Sequence, residues 1–234
     1  MHRSTKTKII VALDVDTSSE ALRLTESLAE GADAFKVGFQ LFLREGPAIV
    51  QKLKNCGAKI FLDLKFHDIP NAVLQAVASS CSLGIDLLTV HLSGGPDMLR
   101  AAAQGAQGSS VLLLGVSVLT SSDVTTLAAT GVHSSVEEQV LRLAALAEKS
   151  LGGIVASPLE ISPLKKQFGN SLQIVTPGVR PAWAASNDQK RVLTPAEAAK
   201  LGADWLVIGR PITTAKSPLD ALLRIKEELY GEEN

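Results

Sequence analysis

The 234-residue chain is predicted to fold as a single-domain α/β protein, a (β/α)8 barrel of the TIM type. Three observations predict it. A glycine, a small or charged pair and a short apolar run recur together at Gly31-Ala-Asp-Ala-Phe-Lys-Val-Gly, Gly57-Ala-Lys-Ile-Phe-Leu-Asp-Leu, Gly84-Ile-Asp-Leu-Leu-Thr-Val-His and Gly202-Ala-Asp-Trp-Leu-Val-Ile-Gly. The first three are one βα unit apart, the glycine marking a helix end and the run a buried parallel strand. Strand-like and helix-like segments alternate eight times, about 29 residues per repeat, which suits a closed barrel. Finally, the first strand ends Leu13-Asp14-Val15-Asp16, without the glycine-rich turn that usually follows the first strand of a doubly wound nucleotide-binding sheet.

The elements follow in order. Strands are expected near 8–14, 33–39, 58–65, 86–92, 111–118, 153–157, 173–176 and 204–209, each an apolar run rich in β-branched residues. A helical segment follows each strand, and those after the sixth and seventh look short. Ser18 to Glu30 and Ser134 to Ser150 are amphipathic. Thr194-Pro-Ala-Glu197 reads as a capping box with proline at the first helical position. No linker or low-complexity stretch divides residues 1–234 into two domains.

Composition removes several function classes. Lys plus Arg number 23 against 24 Asp plus Glu, a net charge of −1 that gives no footprint for nucleic acid or an anionic membrane. Hydrophobic residues make up 46%, enough for a core that needs no disulfide or metal staple. Cys56 and Cys81 have no metal-ligand spacing and suggest a reducing compartment. The basic start is followed by only Ile9 to Leu13 before Asp14, too short for a signal-peptide core, so a cytoplasmic protein is expected. His67, His91 and His133 are read as packing or loop residues, His91 being the one nearest a site. Trp183 and Trp205 are read as lid and strand packing.

Charges stand where a barrel should be apolar. Catalytic groups of such barrels project from the C-terminal ends of the strands. Asp14 closes the first strand, Lys36 lies within the second, and the third ends Asp63-Leu-Lys65 before Phe66-His67-Asp68. Period-two alternation points Asp63 and Lys65 the same way, into the mouth if Phe61 packs inward. One such charge alone would be read as a rim salt bridge. Burying several costs several kcal/mol each unless they are paired, so the Lys–Asp array reads as a site.

A second constellation follows the last two strands: Thr176-Pro177-Gly178-Val179-Arg180 and Ile208-Gly209-Arg210-Pro211. Barrels commonly bind phosphate there through backbone N–H groups and a helix N-terminus, and an arginine can hold two phosphate oxygens at once. The polar stretch Pro181 to Arg191 is long for a βα loop, as an active-site lid would be.

Taken with Val11-Ala-Leu-Asp14, Phe35-Lys36-Val-Gly38, Asp63-Leu-Lys65-Phe-His-Asp68-Ile69-Pro-Asn71, Val90-His91, Val118-Leu-Thr120-Ser121 and Asp188-Gln189, these motifs resemble the orotidine 5′-phosphate decarboxylase family in its bacterial form, in order over nearly the whole chain. The Asp-x-Lys-x-x-Asp signature is shared with keto-gulonate-phosphate decarboxylases, which typically carry a glutamate on the second strand and use magnesium; Lys36 favours the orotidine branch. The resemblance implies decarboxylation of orotidine 5′-phosphate to UMP and CO2, the last step of de novo pyrimidine nucleotide biosynthesis, with no metal or other cofactor. It implies that Lys65 protonates C6 and that Asp63 lies beside the substrate carboxylate, repelling it or positioning Lys65. Asp14 and Lys36 would bind the ribose, and Thr120 and Ser121 the pyrimidine edge. Ile69, Asn71, Ala72 and Pro177 would line the pocket, and Arg180, Gln189, Gly209 and Arg210 would hold the phosphate. Asp68 would come from the other subunit of a homodimer.

The chemistry explains the array. Loss of CO2 leaves a carbanion in the ring plane, where the π system cannot delocalise it, so positive charge must stand where negative charge develops. Two readings compete: a Schiff-base aldolase, disfavoured because flanking carboxylates favour the ammonium over the free amine, and a non-catalytic phosphate-binding barrel, which has no use for Asp63 and Lys65.

Overall fold

A computed structural model of the protein describes residues 6–184 and 193–231. Eight parallel strands close into a barrel in chain order: β1 (Lys8–Ala12), β2 (Ala34–Gly38), β3 (Ile60–Phe66), β4 (Leu87–His91), β5 (Leu112–Val116), β6 (Gly153–Val155), β7 (Gln173–Pro177) and β8 (Trp205–Ile208), with β8 pairing back onto β1. Each lies within two residues of its expected position. The helices are α1 (Ser18–Leu28), α2 (Phe39–Glu45), α3 (Ala48–Asn55), α4 (Pro70–Cys81), α5 (Gly95–Gly105), α6 (Val124–Ala129), α7 (Val136–Glu148), α8 (Ile161–Phe168), α9 (Pro195–Leu201), α10 (Arg210–Thr213) and α11 (Pro218–Tyr230). The short helices expected after the sixth and seventh strands are α8 and α9.

Two differences have identifiable physical causes. The single segment expected after β2 is two helices, because Gly46, at φ +66°, ends α2 and Pro47 starts α3. Gly31 does not serve as a left-handed cap as Gly57, Gly84 and Gly202 do. It is small because a Cβ there would sit 2.6 Å from Leu222 Cδ2 on α11.

Strand alternation sorts the core into two shells. Ile10, Ala12, Ala34, Phe61, Leu87, Leu114, Val175, Trp205 and Val207 fill the barrel interior. Ile9, Val11, Phe35, Val37, Ile60, Leu62, Leu88, Val90, Ile174 and Leu206 pack outward against the helices. Helix starts are set by side chains: Thr17 caps α1, and capping boxes at Ser135/Glu138 and Thr194/Glu197 open α7 and α9.

The recurring Gly-x-Asp mark acquires a physical meaning at the N-terminal face. Asp33, Asp86 and Asp204 each stand just before a strand and accept an N–H from the first or second residue of the preceding strand, from Ile9, Ile60 and Ile174, all at 2.8 Å. Lys54 and Lys165 pair with Asp86 and Asp204 at 3.2 and 3.1 Å. Removing such an acceptor strands a buried N–H, so Asp86→Ala is expected to cost about 2 kcal/mol and lower Tm by roughly 4–8 °C. Turnover should be unchanged, because this face is opposite the strand ends that carry the site. Thermal melting beside an activity assay checks both.

Candidate active site

The C-terminal ends of the strands bring the expected charges together. Lys36, on β2, donates from Nζ to Asp14 Oδ1 at 2.8 Å, and its Nζ stands 4.0 Å from Asp63 Oδ2. Lys65 Nζ donates to the same Asp63 oxygen at 2.8 Å. Asp63 therefore lies between two ammonium groups, with Asp14 outside the first. The side chains of Lys36 and Asp63 are only 12% and 13% exposed, so this array is largely withdrawn from water while Asp14 faces solvent. Gly38 gives Lys36 its room: a Cβ there would come within 3.0 Å of Lys36 Nζ.

The local backbone departs from simple alternation. The β3–β4 register shifts between Leu62 and Phe66, and Lys65 sits at φ +46°, the one non-glycine residue at positive φ among those described. A lysine held there stores strain that the surroundings must offset, a feature associated with functional sites. Period two correctly placed Phe61 and Asp63 inward; Lys65 reaches the same cavity from the irregular part of β3.

That cavity, of about 190 Å3, has two unlike walls. Lys36, Asp63 and Lys65 form the charged one, over Phe61. Val116, Val118, Leu119, Val155, Ala156, Pro177 and Val207 form the apolar one, with Thr120 at its edge. A second cavity, of about 240 Å3, is lined by Arg180, Trp183, Arg210, Pro211 and Thr214. Arg180 is buried and its N–H donates to Leu193 O at 3.0 Å, while Arg210 is exposed at the start of α10. Both arginines lie three residues beyond a residue of the apolar wall, Pro177 and Val207 respectively, so the two cavities share the ends of β7 and β8. Trp183 lies against Arg224 of α11, 4.7 Å from its guanidinium carbon.

Other expected residues are placed less tightly. Asp68, Ile69, Asn71 and Ser121 are exposed and Ala72 half-buried. Asp68 accepts the Ile69 N–H at 2.6 Å, and among the described residues it forms no ion pair with Lys36 or Lys65. Gly209 stands beside Asp14, an added Cβ falling 3.8 Å from Asp14 Oδ2. Asp188, Gln189 and most of the expected lid lie outside the described residues. No group of three or more His, Cys, Asp or Glu side chains that could hold a metal ion occurs among the described residues.

His91, at the end of β4, has its ring 5.5 Å from that of His67. Burial first, then the nearby His67 and the Lys65 ammonium, hold its pKa below the ordinary 6.5, against a smaller opposing pull from Asp63. The unfolded chain therefore takes up this proton before the folded protein does, so stability is full above about pH 6.5 and falls as pH drops below it. Tm measured from pH 7 to pH 5 should decline, and His91→Gln should flatten that decline.

Thr89 is the residue that sequence reasoning missed. It is fully buried on β4 and hydrogen-bonded to both Asp63 and the Lys65 backbone. Its inward register was readable from alternation with Leu87 and His91, but a threonine in an apolar strand carries no signal of its partners.

Known proteins resemble this chain along most of its length. A profile described as Orotidine 5′-phosphate decarboxylase / HUMPS family matches residues 7–225. The chain is 48% identical over 232 residues to the orotidine 5′-phosphate decarboxylase of Trichlorobacter lovleyi, covering 97% of this chain and 96% of that one. It is 46% identical to the one of Syntrophotalea carbinolica, covering 95% and 94%. Among solved structures, orotidine 5′-phosphate decarboxylase from Lactobacillus acidophilus superposes with a TM-score of 0.81 at 38% identity, covering 96% of this chain and 100% of that one. An uncharacterized conserved protein from Geobacillus kaustophilus superposes with a TM-score of 0.83 at 37% identity, covering 94% and 99%. A closed eight-stranded barrel, a Lys–Asp–Lys array at its mouth and similarity along nearly its whole length place this chain in the orotidine 5′-phosphate decarboxylase / HUMPS family.

Proposed function

We propose that the protein decarboxylates orotidine 5′-phosphate to UMP and CO2, serving pyrimidine nucleotide biosynthesis. The observation that carries this reading is the two-walled cavity together with the arginine-lined one, both built on the ends of β7 and β8. A flat pyrimidine suits the apolar wall, its C6 carboxylate faces the charged wall, and the 5′-phosphate extends to Arg180 and Arg210.

In this reading Lys65 is the general acid. The C6–carboxylate bond breaks, its electron pair stays on C6, CO2 leaves, and a proton from Lys65 Nζ closes the new C6–H bond. Water then restores the lysine's proton. Asp63, 2.8 Å from that ammonium, acts chiefly by aiming it. Lys36 and Asp14 bind the ribose hydroxyls, Thr120 and Ser121 meet the pyrimidine edge, and Ile69, Asn71, Ala72 and Pro177 line the pocket. Arg180, Gly209, Arg210 and Gln189 hold the phosphate.

The working unit in this reading is a homodimer in which Asp68 completes the partner's site. Asp68 is exposed and, among the described residues, pairs with neither Lys36 nor Lys65; beside it Ile69 is 69% exposed, and Phe39, whose ring lies 5.6 Å from Lys65 Nζ, is 52% exposed. Cover for such exposed apolar side chains is what an interface between copies supplies. No helix among the described residues is long and apolar enough to cross a membrane, in keeping with a cytoplasmic enzyme.

The substrate test offers the purified protein orotidine 5′-phosphate and 3-keto-gulonate 6-phosphate, each with chelator or with magnesium. Conversion of the nucleotide alone, indifferent to magnesium, is expected. Magnesium-dependent decarboxylation of the sugar phosphate would assign the chain to the other branch.

A further inference from the structure

We propose that Thr89 is a positioning residue of the decarboxylation site, holding both the strained Lys65 backbone and the Asp63 carboxylate that aims the Lys65 ammonium. This rests on the functional reading above and deepens it.

Between Leu62 and Phe66, β3 advances four residues while β4 advances only from Leu88 to Val90. The extra residues cannot be matched in the ladder, so Lys65 needs an acceptor for its N–H from outside the regular pairing. Thr89 Oγ1 supplies it at 2.9 Å. The direction of the second bond then follows. A backbone N–H can only donate, so the hydroxyl accepts there and turns its own proton towards Asp63 Oδ1, at 3.0 Å. The other Asp63 oxygen is left to the two lysines, Lys65 at 2.8 Å and Lys36 at 4.0 Å.

One hydroxyl thus ties together the backbone of Lys65, at φ +46°, and the carboxylate that receives its side chain. Thr89 is fully buried and is not among the residues lining either cavity, so it acts through Asp63 and Lys65 rather than on substrate. Its methyl group is ordinary core packing, and the two halves of the side chain are separable by mutation.

The experiment measures kcat, KM and Tm with orotidine 5′-phosphate for wild type, Thr89→Val and Thr89→Ser. Val keeps the volume and removes the hydroxyl, and kcat is expected to fall about 10- to 100-fold, the equivalent of a lost hydrogen bond to a charged group, with KM within about threefold of wild type. Ser keeps the hydroxyl and loses the methyl; its kcat should stay within about threefold of wild type although Tm falls. A packing role predicts the reverse order, with Ser impaired and Val benign, and that result overturns the proposal, as does a Val kcat equal to wild type. If Thr89→Val does not fold, Thr89→Ala against Thr89→Ser makes the same comparison, since both lose the methyl group and differ in the hydroxyl. Equal kcat for Ala and Ser then overturns it. A folded wild type that leaves orotidine 5′-phosphate unchanged overturns the functional reading instead.

Discussion

Lys65→Ala is expected to lower kcat for orotidine 5′-phosphate by about 10^4- to 10^5-fold while leaving the barrel folded. General acid catalysis contributes about 10^2–10^4-fold, and a fixed charge at the developing carbanion a further 10^2–10^3-fold, with the two not fully additive in one residue. Coulomb's law matches the charge part: an ammonium about 4 Å from the carbanion contributes roughly 4 kcal/mol at an effective dielectric near 20, or about 10^3-fold. If the total barrier reduction approaches the upper range for enzymes, about 23 kcal/mol, Lys65 supplies only a part. The remainder falls to binding of phosphate and ribose and to exclusion of water. The fold survives because Asp63 keeps the Thr89 hydroxyl at 3.0 Å and Lys36 at 4.0 Å, so its carboxylate is not left bare. Steady-state kinetics with circular-dichroism melting checks both halves. A variant within tenfold of wild type would remove Lys65 from the chemistry.

Asp68→Ala is expected to lower kcat/KM by about 10^2- to 10^3-fold, the cost of truncating one member of a desolvated charge cluster at an interface. The informative step is mixing it with Lys65→Ala. If Asp68 serves the partner's site, each mixed dimer has one site with both lesions and one with none. Random exchange of equal amounts then restores about one quarter of the wild-type sites by the isologous symmetry of a dimer. If Asp68 serves its own chain, every site in a mixed dimer carries one lesion and activity stays at the level of the parents. The exposed Asp68, whose one hydrogen bond among the described residues is from the adjacent Ile69 N–H, motivates the first outcome.

Much of this was legible in the residues, for physical reasons. Buried parallel strands show as short apolar runs, so all eight could be placed, and the Thr194–Glu197 capping box was readable because both partners lie in one turn. Lys36, Asp63 and Lys65 stood out because charge in a strand that should be apolar needs a reason. What escaped was what depends on neighbours distant in sequence. The aspartates of the Gly-x-Asp mark were read as part of a strand's introduction, whereas each caps the strand before it, 24 to 30 residues away. Gly31 was read as a left-handed cap, yet its size is dictated by Leu222 on the last helix. The bulge at Lys65 has no glycine, proline or asparagine to announce it. It persists because Thr89, from the next strand, holds it, and no local pattern encodes that contact.

The most direct measurement is the stoichiometry of the wild-type reaction: orotidine 5′-phosphate added to purified protein in excess chelator with no added cofactor, following UMP and CO2 together. The account predicts rapid, complete conversion with one UMP and one CO2 formed per substrate consumed. A folded protein that leaves the nucleotide intact, or that turns it over only when a metal ion is returned, would contradict it.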